Sequence, residues 1–63
     1  MIDRPESLVG KVKRFGPFGP AYEIVRPAGK NPEGKPLMHI VVPSIGEELD
    51  YPLTAILADP EED

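Results

Sequence analysis

The sequence predicts a mainly β fold, a small antiparallel sheet or an SH3-like open barrel of three to four strands, with a short C-terminal helix. Three observations support this prediction. Nine prolines and six glycines divide the 63 residues into short segments, as expected for short strands joined by tight turns. Apolar residues alternate with polar ones in most segments, the pattern of strands with one buried face. Only the last apolar segment repeats at helical spacing.

The length predicts one small domain over residues 1–63, with a flexible arm over 1–6 and an acidic tail over 60–63. The 63 residues fall below the ~100 to 200 residues of a usual domain. A chain of this size buries only about 60% of its unfolded surface, and without cysteine it has no disulfide to add stability. A marginal core of this kind favours self-association.

The first strand is predicted over Ser7–Phe15, where Leu8, Gly10 and Val12 fall on one side and two lysines on the other. Gly16–Pro20 follows as a stiff turn, because its two prolines prevent a ladder-forming strand. A phosphate-binding loop is not expected there, since such loops present backbone N–H groups that proline lacks.

The second strand is predicted over Ala21–Arg26 and is expected to end at Pro27. Beyond it, Asn31, Pro32 and Gly34 occupy the positions at which a type I turn favours these residues. We therefore expect a hairpin loop between the second and third strands.

The third strand, Leu37–Val42, is apolar at five of six positions, which predicts a central strand covered on both faces. A short helix can cover only one face of a small sheet. The second cover is therefore expected from curling of the sheet into a small barrel or from another chain.

The fourth strand is predicted over Glu47–Tyr51, after a turn at Ser44–Gly46. Its residues alternate, which places Leu49 and Tyr51 on the inward side.

The C-terminal helix begins with Pro52 in its first turn, where the missing N–H is tolerated. Leu53, Ile56 and Leu57 form an apolar stripe of about two turns. The helix is expected to end at Asp59–Pro60, because a residue before proline is disfavoured in the helical conformation.

Charge is distributed unevenly along this chain of net charge −4. All seven basic residues lie within positions 1–35, whereas positions 36–63 contain seven acidic residues and no lysine or arginine. A net-acidic chain binds nucleic acid poorly without sequence preference, because phosphate contacts need unopposed cations. The asymmetry favours head-to-tail self-association or a basic partner.

His39, the one histidine, is predicted to be a partly buried strand residue rather than a metal ligand. A metal site would need Glu23 or Asp50 beside it through cross-strand pairing, and no spacing motif indicates one. Hydrolase chemistry would need a hydroxyl nucleophile with His39 as its base, but no strand-turn-helix nucleophile motif is present. We expect no catalytic residue, no metal and no cofactor, and predict that the chain is not an enzyme.

The leading functional prediction is a protein-interaction module that self-associates or docks on a larger protein with a basic patch, as a small regulatory or antitoxin-like subunit would. The predicted contact residues are two aromatic anchors, an apolar set for the core or an interface, and three acids: Phe18 and Tyr22; Leu37, Ile40, Val41 and Val42; and Glu47, Glu48 and Asp50. Asp59 lies at the negative end of the helix dipole, so a basic partner would stabilise it as well.

The alternative prediction is a small barrel that binds single-stranded nucleic acid. Such proteins interleave cations with aromatic residues. This chain does so at Lys11, Lys13, Arg14, Phe15, Phe18, Tyr22 and Arg26. The acidic second half of the chain argues against this alternative, so nucleic acid is not the expected partner.

Two segments are similar to an uncharacterised family of short bacterial proteins. They are RFGPFGPAYE at Arg14–Glu23 and GEELDYPL at Gly46–Leu53, the latter followed by Asp59–Pro60. The resemblance covers most of positions 9–60 and implies a bacterial source and a mainly β fold. The family has no established activity, so the resemblance implies no site residue.

The sequence also bears on location. No basic segment leading into an apolar run indicates a secretory signal, and no stretch approaches the ~20 apolar residues of a membrane span. We expect a cytoplasmic protein without a membrane partner.

Overall fold

The computed structural model describes residues 5–61. It contains a 3₁₀ helix, Pro5–Leu8, then strands β1, Val12–Arg14; β2, Ala21–Lys30; β3, Pro36–Val42; and β4, Glu47–Pro52, and finally helix α1, Leu53–Ala58. The four strands form one antiparallel sheet in the order of the chain, β1-β2-β3-β4. The fold class predicted from the sequence, mainly β with a short C-terminal helix, is therefore confirmed.

The predicted first strand is too long. Only Val12–Arg14 is a strand, because the chain before it coils into the 3₁₀ helix and turns at Gly10, which has a φ of 89°. Leu8 still reaches the core, but from the helix. The 3₁₀ helix also includes residues 5 and 6 of the predicted arm, and residues 1–4 of that arm lie outside the described residues.

β2 continues through Pro27 to Lys30 rather than ending at the proline. The reason is the short β1, whose pairing with β2 reaches only to Glu23 in the strand register. Backbone hydrogen bonds with Gly10 and Lys11 extend this pairing to Ile24. Beyond Ile24, among the described residues, β2 has a strand neighbour on one side only, and proline is tolerated on such an edge. Two register shifts against β3 flank Pro27, which pairs with Met38.

The predicted hairpin turn between β2 and β3 is confirmed. The N–H of Gly34 donates to the carbonyl of Asn31 at 2.8 Å, and Gly34 has a φ of 81°. The Asn31 side-chain oxygen accepts from the N–H groups of Glu33 and Lys35 at 2.9 and 3.0 Å. Asparagine, proline and glycine therefore serve the turn as their local preferences predict.

One face of the sheet, which we call the covered face, packs against the 3₁₀ helix and α1. The core on this face consists of Leu8, Tyr22, Ile24, Met38, Ile40, Val42 and Ile56. Buried residues of β3 alternate with half-buried ones. Leu37, His39 and Val41 point to the opposite, open face, so β3 is interior in the sheet but this chain by itself fully covers only one of its faces. Cover of the second face by another chain stays a prediction.

Helix α1 begins one residue later than predicted, since Pro52 is the last residue of β4 and the N-cap residue. Ile56 is fully buried and Leu53 packs on the core, but Leu57 is 57% exposed and is not part of the predicted stripe. The helix ends at Ala58 with Asp59 as its extended C-cap residue, as predicted for a residue before proline. No helix among the described residues is long and apolar enough to cross a membrane.

After α1 the chain returns to the outer edge of β1. The N–H of Arg14 donates to the carbonyl of Pro60 at 3.0 Å, and Lys13 pairs with Glu61 in an antiparallel bridge. The start of the predicted acidic tail is thus part of the sheet edge, while residues 62 and 63 lie outside the described residues.

Candidate functional site

Three of the four aromatic residues, carried by the β1–β2 loop, β2 and β4, form one cluster. The ring of Phe15 lies 4.4 Å from that of Tyr22 and 5.2 Å from that of Tyr51, centroid to centroid. Tyr22 has no exposed surface, and its hydroxyl donates to Asp59 Oδ2 at 2.7 Å. Tyr22, predicted as an interaction anchor, is therefore a core residue that no partner can reach in the folded chain.

Phe18, the other predicted anchor, lies at the tip of the β1–β2 loop with 97% of its surface exposed. The loop that carries it is held closed. The N–H of Phe15 donates to the carbonyl of Pro20 at 3.1 Å, and Arg14 Nη1 donates to the carbonyl of Gly19 at 3.0 Å. The structure thus presents a large apolar side chain to solvent on an ordered turn.

Glycine is required at position 19 of this loop. A Cβ atom there would overlap the carbonyl oxygen of Phe15 and crowd its Cβ. The N–H of Gly16, whose φ is 66°, donates to Asp59 Oδ1 at 3.3 Å. The loop is therefore constrained both by its own backbone and by the segment that follows α1.

The C-terminal end of α1 is neutralised within the chain. Lys13 is only 5% exposed, and its Nζ donates to the carbonyl of Ile56 at 2.6 Å, where the helix dipole favours a cation. Asp59 accepts from Tyr22 and Gly16, so the basic partner expected for Asp59 is not needed. Lys13, predicted from the sequence to lie on the solvent side of β1, lies on the covered face.

Asp59 also helps to raise the pKa of two tyrosines, Tyr22 and Tyr51. Burial is the largest cause that raises the pKa of Tyr22, followed by the hydrogen bond to Asp59 and the charge of that carboxylate. Burial likewise raises the pKa of Tyr51, with smaller contributions from the charge of Asp59 and a hydrogen bond to it. Both hydroxyls therefore stay protonated and act as hydrogen-bond donors.

On the open face, His39 lies between two carboxylates of β4. Its Nε2 is 2.8 Å from Glu48 Oε1, and its Nδ1 is 3.0 Å from Asp50 Oδ1. The imidazole is 15% exposed, whereas the two carboxylates are 63% and 50% exposed. The hydrogen bonds to Glu48 and then Asp50 raise the pKa of His39, against the opposing effects of burial and of Arg26.

This cluster does not form a metal site. The two carboxylates lie at opposite ring nitrogens of His39, so they do not converge on one point from which an ion could be held. No group of three or more ligating side chains occurs among the residues described. Cross-strand pairing does bring Asp50 to His39, as a metal site would have required, but the second carboxylate is Glu48 rather than Glu23. Glu48 and Asp50 are two residues apart, a spacing that places both on one face of a strand.

The remaining predicted contact residues separate into core and surface. Ile40 and Val42 are buried in the core, and Leu37 and Val41 are half-buried on the open face. The three acids Glu47, Glu48 and Asp50 are exposed.

The residues proposed for single-stranded nucleic acid do not form one surface. Lys13 is buried, Phe15 packs in the aromatic cluster, and Arg14 bonds to its own loop. Lys11, which precedes β1, and Arg26 of β2 remain exposed.

Comparison with known proteins supports the resemblance noted in the sequence. An uncharacterised protein of Haemophilus influenzae is 36% identical over 58 residues, which span 92% of this chain and 92% of that protein. The model of a family of unknown function, DUF5397, matches residues 1–63. The chain therefore belongs to the family of unknown function DUF5397.

Proposed function

We propose that this chain is a non-enzymatic, cytoplasmic interaction module that docks on a larger protein through the β1–β2 loop. The observation that carries the proposal is Phe18, 97% exposed at the tip of that loop. Isolated apolar residues on a surface are common. A fully exposed aromatic ring on a turn closed by specific hydrogen bonds is a stronger indication of a contact.

The constraint on the loop supports this function because it reduces the entropy lost on binding. Two prolines restrict the backbone around Phe18, and Gly19 allows the tight approach to Phe15. A side chain carried on a backbone that is already held in place loses less backbone freedom when it enters a pocket. Aromatic anchors of this kind supply a large share of binding energy in many interfaces.

A protein pocket suits Phe18 better than a nucleic-acid base does. Single-strand binders surround their aromatic residues with accessible cations. Here Lys13 is buried against α1, Arg14 donates to the loop backbone, and the chain as a whole is acidic. The other candidate partner for Phe18 is a second copy of the chain. The cross-linking experiment below identifies which protein binds.

The test is site-specific cross-linking in the native host. A photoreactive benzophenone amino acid replaces Phe18 in one variant and Glu33 in a matched control, since Glu33 is exposed in the loop at the far end of β2. We expect position 18, and not position 33, to cross-link to one defined protein identified by mass spectrometry.

Phe18→Ser gives the second part of the test. It should lower affinity for the identified protein about thirtyfold, equivalent to about 2 kcal/mol at a central aromatic contact. Because the Phe18 ring is exposed, the melting temperature of the Phe18→Ser variant should match that of the wild type. Cross-links only to RNA or DNA, equal cross-linking from both positions, or unchanged affinity of Phe18→Ser would contradict the proposal.

A further inference from the structure

The two outer edges of the sheet differ. β1 is paired along its edge with residues 60 and 61, whereas no segment within residues 5–61 pairs with the outer edge of β4. An unpaired edge is a template on which another extended chain can add as a strand. β4 is six residues long, which is a typical strand length.

The strand register identifies the backbone groups that face this open edge. The N–H of Ile24 donates to the carbonyl of Lys11, and the carbonyl of Ile24 accepts from the N–H of Gly10. Both backbone groups of Ile24 therefore point toward the β1 side of the sheet. The pair of Ile24 with Ile40 is therefore not hydrogen-bonded, and Ile40 directs its own groups to Leu49 of β4. Backbone direction alternates along a strand, so the residues on either side of Leu49 direct their N–H and carbonyl groups outward.

Those residues are Glu48 and Asp50, whose side chains lie on the open face. Pro52, the next outward position, has no N–H to leave unpaired, as expected on an edge. Leu49 lies between the two acids, points to the covered face with Ile40, and is 38% exposed. The open edge thus presents acid, apolar and acid side chains in alternation.

We propose that β4 binds an extended segment of a partner protein as an antiparallel fifth strand, and that this segment carries basic, apolar and basic residues in alternation. Opposite charges placed directly across a strand pair are stabilising. The bonds to His39 use one oxygen of each carboxylate, and the second oxygen can accept from a lysine or arginine. The inference rests on the proposed protein-interaction function but uses a surface separate from Phe18.

A second copy of this chain does not fit the edge. In an antiparallel pair of two β4 strands, outward-facing residues pair with one another, so Glu48 or Asp50 would lie opposite an acid of the other copy. Like charges directly opposite are destabilising. The chain's own basic edge at Lys13 and Arg14 is already occupied by residues 60 and 61.

The experiment uses a capped synthetic peptide of about nine residues, a strand-length segment, with a central lysine-valine-lysine sequence flanked by threonines. Binding to the full chain is followed by NMR of the backbone amides. We expect shifts concentrated in β4, slower hydrogen exchange at the amides of Glu48 and Asp50, and loss of affinity with added salt. A peptide in which glutamate replaces lysine should not bind.

A second peptide carries the same lysines with methylated backbone nitrogens. It keeps the charge but cannot donate to the open edge, so its affinity should fall at least tenfold if a strand is added. Glu48→Gln should weaken the unmethylated peptide several-fold. Glu47→Gln removes the same charge from a position whose backbone faces β3, and it should have a smaller effect.

Equal affinity of the methylated peptide, or shifts that bypass β4, would overturn the proposal, and neither result depends on a variant that must fold. Phe18→Ser should bind the lysine peptide as the wild type does. If position 18 fails to cross-link but the lysine peptide binds normally, only the docking role of Phe18 is rejected. If position 18 cross-links but the lysine peptide does not bind, only the added strand is rejected.

Discussion

His39 contacts a carboxylate at each ring nitrogen, an arrangement that only the imidazolium form can satisfy as a donor on both sides. Cross-strand pairing with Asp50 and the neighbouring Glu48 holds these groups together in the folded chain. The unfolded chain has no such arrangement. The proton on His39 is therefore linked to folding.

The first prediction concerns this linkage. The pKa of His39 is raised above its ordinary 6.5 in the folded chain, so its contribution to stability is fully present below that pH and is lost as pH rises through the folded pKa. An NMR titration should place the His39 midpoint above 6.5, and Glu48→Gln should lower it. Melting temperatures should fall less with rising pH in His39→Gln than in the wild type. Identical pH profiles for the two proteins would contradict the prediction.

The aromatic residues show what single-residue patterns can and cannot predict. Phe18 lies within a proline-rich turn and Tyr22 follows it, and the sequence predicts contacts for both. Strand alternation places Tyr22 inward, where it fills the core and bonds to Asp59, while Phe18 sits at the loop tip. The bond between Tyr22 and Asp59 joins residues 37 positions apart, a contact that local patterns do not contain.

At the scale of elements, the segments with strong local signals are the ones predicted correctly. The turn at Asn31–Gly34, the β4 alternation and the stop of α1 before Pro60 each depend on residues within a few positions. The error at β1 arises from the 3₁₀ helix and the turn at Gly10, and the error at Pro27 follows from the short β1, which leaves the end of β2 on an edge. A turn at Gly10 shifts β1 by one residue, which exchanges the faces of Val12 and Lys13.

The second prediction concerns the contact that this shift creates between β1 and α1. Lys13→Met keeps much of the apolar stem but removes the charged donor to the carbonyl of Ile56, so we expect a loss of about 1.5 to 3 kcal/mol in the free energy of unfolding. Lys11→Met, at an exposed position of the same segment, is the control and should change stability by about 0.5 kcal/mol or less. Urea denaturation measures both. Equal stabilities would show that the buried ammonium does not stabilise the helix end.

At the scale of the whole molecule, one short segment after α1 joins the sheet edge, the loop and the core. Asp59 binds the β1–β2 loop at Gly16 and the core at Tyr22. Pro60 and Glu61 then pair with β1. Within residues 5–61 the result is a sheet with one closed edge and one open edge, and the acids of the second half of this described segment divide between them. The sequence shows the uneven charge. Only the topology reveals that Asp59 is bonded within the fold whereas the acids of β4 are exposed.

The last prediction tests this role of the C-terminal segment. A chain that ends at Ala58 loses the charge-assisted bond to Tyr22, worth about 1.5 to 3 kcal/mol, together with the backbone bond to Arg14. A domain of this size has only about 3 to 5 kcal/mol of stability. We therefore expect the shortened chain to be largely unfolded by far-ultraviolet circular dichroism at about 25 °C. Asp59→Asn keeps the backbone pairing and a carbonyl acceptor for Tyr22, so it should fold with intermediate stability in urea. A shortened chain as stable as the full one would show that β1 and the loop are held by the sheet alone.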